Sequence, residues 1–158
     1  MRLEVTRVMD APPEVVWEVL TRWEEQPRWM LDAKAVEVLT PQRAGVGVTL
    51  RCPTLLLGLT VEDVMRVTRY DEPAALEVRH LGSIITGDGG FELEALDPQA
   101  TRVTWWEEID PPLGRVGAWG ATTLALPVLR RVFGRSLARL AAVAEATATR
   151  ARQKRELG

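Results

Sequence analysis

Thr101-Arg102-Val103-Thr104-Trp105-Trp106-Glu107-Glu108-Ile109 sets Val103, Trp105 and Glu107 against Arg102, Thr104 and Trp106, the two-residue rhythm of a half-buried strand. Beyond a Pro/Gly-rich connection the rhythm changes. Leu126, Leu129, Phe133, Leu137, Leu140 and Ala144 fall on one face at helical spacing, with Arg131, Arg135 and Arg139 roughly opposite. Pro127 marks the effective start of this helix or kinks it. Everything between the first helical stretch and Asp110 is strand-like, and one long Ala/Leu/Arg helix closes the chain. A curved antiparallel sheet around a single long helix buries such elements and leaves room for a hollow between them. The expected class is α+β.

Working outward, Leu3, Val5, Arg7 and Met9 alternate with Glu4, Thr6 and Val8 as a first strand. Asp10-Ala11-Pro12-Pro13-Glu14 reads as a helix start, with Asp10 as the cap and Glu14 favoured by the positive helix end. Val15 to Leu20 make a short helix, and Trp23 to Trp29 a second short helix or turn. Val36 and Val38 mark the next strand. Val46 to Cys52 follows, stopped by Pro53, and then come Leu59 to Tyr70, Leu76 to His80, Ile84 to Leu96 and Thr101 to Ile109. Turn signals at Asp71-Glu72-Pro73 and Asp97-Pro98 favour an antiparallel meander. Gly87-Asp88-Gly89-Gly90 lacks a following helix and a Lys-Ser/Thr pair, so a β-bulge accounts for it better than a phosphate loop. Pro111 to Gly120 reads as a hinge-like connection, and Arg150 to Gly158 as a frayed tail.

At 158 residues the chain is expected to be one domain, 1–158, with enough core to need no staple. The net charge of -2 argues against a duplex nucleic-acid partner, which needs a basic face. One cysteine, Cys52, and one histidine, His80, leave no disulfide, no metal site and no cofactor expected. Arg2, Glu4, Arg7 and Asp10 interrupt any secretory signal, and no apolar run reaches the roughly 18 residues of a membrane span. The expectation is a cytoplasmic protein without integral membrane association.

Asp10-Ala11-Pro12-Pro13-Glu14-Val15-Val16-Trp17, with Trp23 and Pro27-Arg28-Trp29 after it, resembles the opening of the START-like superfamily of polyketide cyclases/dehydrases and lipid-transport proteins. Thr101 to Trp105, and Phe133-Gly134-Arg135-Ser136-Leu137-Ala138-Arg139-Leu140 before Glu145, resemble its later signatures in the right order. The resemblance implies a helix-grip fold: one strand, two small helices, six more strands and a long C-terminal helix gripped by a curved seven-stranded antiparallel sheet. It implies a pocket between helix and sheet for a lipid, quinone or polyketide-like molecule. It carries over no catalytic residue, because the family has no universal one.

If the sheet is concave toward the helix, its alternating positions form the pocket wall. The candidate ligand-binding residues are Trp29, Leu50, Cys52, Met65, Val67, Val78, His80, Phe91, Trp105, Glu107, Phe133 and Leu137. His80 and Glu107 are also the candidate catalytic groups. His80 is either a general base or donor, or an idle, half-exposed strand-end histidine. Glu107 faces inward only in one register; a slip of one residue exchanges it for Glu108. Cys52 reads as an inert wall residue, its thiol pKa raised by an apolar strand. Glu62 and Asp63 face opposite sides and make no acid/base pair by themselves. Trp105 and Trp106 also face opposite sides, so an outward Trp106 offers a possible homodimer contact.

Three functions remain open on these grounds. The first is a binding or carrier protein for a small hydrophobic or aromatic molecule. The second is a cyclase/aromatase-type enzyme in which His80 or Glu107 shuttles a proton. The third is a protein-interaction module gated by movement of the Pro111–Gly120 loop.

Overall fold

The chain's alternating segments form a single sheet. The computed structural model describes residues 1–110, 123 and 125–158. Among these, the strands are β1 (Arg2–Met9), β2 (Glu37–Val38), β3 (Thr49–Leu56), β4 (Leu59–Asp71), β5 (Ala75–Leu81), β6 (Thr86–Asp97) and β7 (Ala100–Ile109). Helix α1 (Pro13–Thr21) and a 3-10 helix (Trp23–Arg28) follow β1, and α2 (Leu126–Glu156) closes the chain. The order across the sheet is β1-β7-β6-β5-β4-β3-β2, antiparallel throughout. The expected hinge at 111–120 lies outside the described residues.

One face of the sheet carries Leu50, Met65, Leu76, Phe91, Val103 and Trp105 toward α2; the other carries ion pairs such as Arg79–Asp88 and Arg102–Glu94 into water. Such exposed pairs contribute little, about 0–1 kcal/mol each. The core is made by apolar burial at about 1.5–3 kcal/mol per large side chain. Trp17, Trp23 and Trp29 are all buried and fix the small helices on the sheet. Helix α2 packs on β1 and α1. Its buried face changes along its length, from Leu129, Phe133 and Leu137 to Ala141, Ala144 and Ala148. The small residues let the C-terminal half approach closely.

Several local expectations need correction. Asp10 does not cap α1. Pro12 stands at the cap position without a side-chain hydrogen bond, and the amide of Asp10 instead donates to Glu145 Oε1 at 3.1 Å. Pro53 does not stop β3, which continues to Leu56. The Leu55 amide donates to the Asp32 carbonyl at 2.7 Å, so the nitrogen of Pro53, two residues earlier, also faces away from β4; the missing donor costs no ladder bond there. Gly87 to Gly90 is not a bulge: it pairs in continuous register with β5 and β7, and β6's irregularity lies at Ala95/Asp97. Arg150 to Glu156 is helical, although its side chains are mostly exposed. Pro127 sits in the first turn of α2, as a helix start allows.

Candidate ligand cavity

A cavity of about 540 Å³ lies between the concave sheet face and the start of α2. Leu50, Cys52, Met65, Val78, His80, Phe91, Trp105, Glu107 and Phe133 all line it. Trp29, Val67 and Leu137 do not: they are buried in the core beside it, and Met30 takes the lining position next to Trp29. Trp29 still shapes the wall, packing edge-on against Phe91 and Trp105 at centroid distances of 6.0 and 6.2 Å. Trp105 stacks on Phe133 at 3.9 Å and on Phe91 at 5.0 Å. This ring cluster gives the cavity a rigid aromatic side.

The polar end is built across three strands. His80 on β5 is 9% exposed, Asp63 on β4 3% and Glu107 on β7 7%. His80 Nδ1 lies 2.9 and 3.0 Å from the two carboxylate oxygens of Asp63, and Nε2 lies 3.1 Å from Glu107 Oε2. Trp105 Nε1–H donates to the other oxygen of Glu107 at 2.9 Å. A carboxylate accepts, so satisfying both partners requires a proton on each ring nitrogen. Burial pushes the His80 pKa down, but hydrogen bonds and charge from Asp63 and Glu107 outweigh it and hold the imidazolium to about 10.

Glycine explains how β5 and β7 reach one another. They are separated by β6, where the residues opposite His80 and Glu107 are Gly87 and Gly89. A Cβ on Gly89 would lie 2.1 Å from Glu107 Oε2. The absent side chain of Gly89 leaves the space over β6 that the Glu107 carboxylate occupies. Gly87 has a different constraint: its φ is +118°, and a Cβ there would lie 2.0 Å from the Glu108 carbonyl oxygen.

Asp32 completes the polar end. Its loop is held from two sides: the Leu31 amide donates to Ser136 Oγ on α2 at 3.0 Å, and the Lys34 amide donates to the Pro53 carbonyl at 2.9 Å. Asp32 lines the cavity, and its Oδ1 is buried without a hydrogen-bond partner. Burial pushes its carboxyl up to about 6, against its own backbone hydrogen bond, and the charges of Glu107 and Asp63 push the same way. Cys52 is inert at neutral pH, its thiol pushed up by burial to about 11.

The inward register thus holds Glu107, while Glu108 is exposed. His80 is buried and hydrogen-bonded through both ring nitrogens rather than half-exposed. Asp63 was missed by reading it only against Glu62, although Val61, Asp63, Met65 and Val67 share one phase. Asp32 had no periodic signal, because it lies on a loop. Trp106, the candidate dimer contact, is half-buried with the Arg2 guanidinium 5.3 Å above its ring. Among the described residues no helix is long and apolar enough to cross a membrane.

Residues 1–145 match the model of the family described as polyketide cyclase / dehydrase and lipid transport. The chain belongs to that family. Solved structures share its fold. TTHA0849 from Thermus thermophilus superposes with a TM-score of 0.78 at 15% identity, covering 94% of this chain and 99% of that one. A START superfamily protein from Mycobacterium smegmatis gives 0.65 at 17% identity, with 94% and 97% covered. The Zhui aromatase/cyclase from Streptomyces sp. R1128 gives 0.69 at 21% identity, with 95% and 94% covered. At these identities the likeness shows the helix-grip fold. No curated protein matches the sequence.

Proposed function

We propose that this protein binds a small hydrophobic or aromatic molecule in the cavity between sheet and α2, as a carrier or receptor. The observation that carries the reading is the cavity itself: about 540 Å³, walled by Leu50, Met65, Val78 and an aromatic cluster, with polar groups gathered at one place. That composition is typical of small-molecule sites. The state of His80 supports binding over catalysis. An imidazolium whose two N–H groups are both engaged has no lone pair with which to take a proton. It acts here as the counter-ion that keeps Asp63 and Glu107 buried.

One observation favours a cyclase-type enzyme as the second reading. Asp32 lines the cavity with a carboxyl that titrates near neutrality, as a general acid–base group does. Zhui is named an aromatase/cyclase, and it shares this fold.

Titration with the fluorescent probe N-phenylnaphthylamine tests the binding reading. Wild-type protein should bind one equivalent, and Val78→Trp, which fills the cavity, should lose it while remaining folded. Equal binding by both would place the probe elsewhere and count against the reading. An Asp32→Asn variant separates the two functions: a carrier keeps apolar binding, whereas an enzyme loses turnover by about 10²-fold or more.

A further inference from the structure

Among the described residues, the charges around the cavity do not balance. Those that line it include three carboxyl groups, Asp32, Asp63 and Glu107, and no lysine or arginine. The cations among them are His80 and the amino group of Met1. His80 is held between Asp63 and Glu107, and the Met1 ammonium donates to the Ile109 carbonyl at 2.8 Å. Lining hydroxyl and amide donors are turned to the backbone: Thr54 Oγ1 donates to the Cys52 carbonyl at 3.1 Å and Gln26 Nε2 to the Leu20 carbonyl at 2.8 Å. Asp32 Oδ1 has no partner.

We infer that the cavity selects an apolar, ring-bearing molecule carrying a protonated amine, whose nitrogen donates to Asp32 and whose ring lies along the Trp105–Phe91–Phe133 wall. This rests on the cavity being a ligand site, as proposed above; the carboxyl groups set which ligand. A cation meets an unpaired acceptor and an excess of negative charge, and the aromatic wall adds ring-to-cation attraction. An anionic ligand such as a fatty acid meets uncompensated like charge in a poorly solvated place. A neutral alcohol loses only the charge term.

The groups facing Asp32 electrostatically are Glu107 and Asp63. Above pH 6 Asp32 is ionised and the preference for a cation is full; toward pH 5 it takes a proton and the preference falls. His80 remains cationic across that range.

The test compares three matched probes: naphthylethylamine, naphthylethanol and naphthylacetate. Affinities are measured by calorimetry at about pH 8 and about pH 5, with wild type and Asp32→Asn. The expected order at the higher pH is amine over alcohol by about tenfold, with the carboxylate weakest. The amine's advantage should shrink at the lower pH and in Asp32→Asn. The wild-type pH comparison keeps the test decisive if the variant folds poorly. Binding of the alcohol as tightly as the amine, or a preference for the carboxylate, overturns this inference and leaves the cavity reading intact. An amine preference unchanged in Asp32→Asn overturns the role of Asp32. Failure of all three probes to bind overturns the cavity reading and this inference with it.

Discussion

His80 on β5 and Glu107 on β7 hydrogen-bond at 3.1 Å over an intervening strand, because Gly89 on β6 leaves the Glu107 carboxylate room to cross it. The contact joins non-adjacent strands on the concave face, and Asp63 on β4 extends it. An ion cluster in an otherwise apolar hollow is costly to desolvate and tolerates no missing member.

Removing the cation should therefore be severe. His80→Ala leaves Asp63 and Glu107 buried beside Asp32 with no histidinium, at an expected cost of about 3–5 kcal/mol at pH 7. Urea unfolding at that pH measures it.

The pH dependence of the wild type follows from the same cluster. The folded state holds the His80 proton to about 10, whereas an unfolded histidine releases it near 6.5. Stability from this group is complete below about pH 6.5 and is lost as pH rises toward 10, with a slope of at most about 1.4 kcal/mol per pH unit. In His80→Gln this slope should disappear. In wild type, the imidazole signals should show no titration near pH 6.5 by NMR.

Raising the Asp32 pKa has the same sign at lower pH. The folded state binds its proton more tightly than the unfolded chain, so this group's contribution falls as pH rises from about 4 through about 6. Asp32→Asn should remove that fall and be no less stable than wild type at pH 7. Thermal unfolding across this range checks it.

Glycine supplies a paired prediction. Gly89→Ala puts a methyl group 2.1 Å from Glu107 Oε2 and should displace the carboxylate from His80, at about 1–3 kcal/mol. Gly134 on α2 has nothing within 4 Å of a built Cβ, so Gly134→Ala should stabilise by about 0.4–1 kcal/mol. Chemical denaturation of the two variants shows whether the space above Gly89 is structural.

The fold was legible because period two and helical spacing occupy separate parts of the chain, and strand phase offered His80 and Glu107 as inward-facing, leaving the register to decide between Glu107 and Glu108. The same phase included Asp63, whose meaning depended on a partner seventeen residues away. Phase could not tell a cavity wall from solid core, so Val67 read like Met65, and helix spacing likewise could not part Leu137 from Phe133. Asp32 lies on a loop positioned by Ser136 and Pro53, contacts that no local pattern announces. Pro53 and the Gly87–Gly90 run misled for the opposite reason. Each looked like punctuation, and the backbone uses one facing away from β4 and the other to clear space.

Native mass spectrometry of the purified protein, followed by solvent extraction, tests the central claim most directly. The account predicts a co-purifying apolar molecule at near-stoichiometric level in wild type and its absence in Val78→Trp. A wild-type protein that is empty and also fails to take up N-phenylnaphthylamine would contradict it.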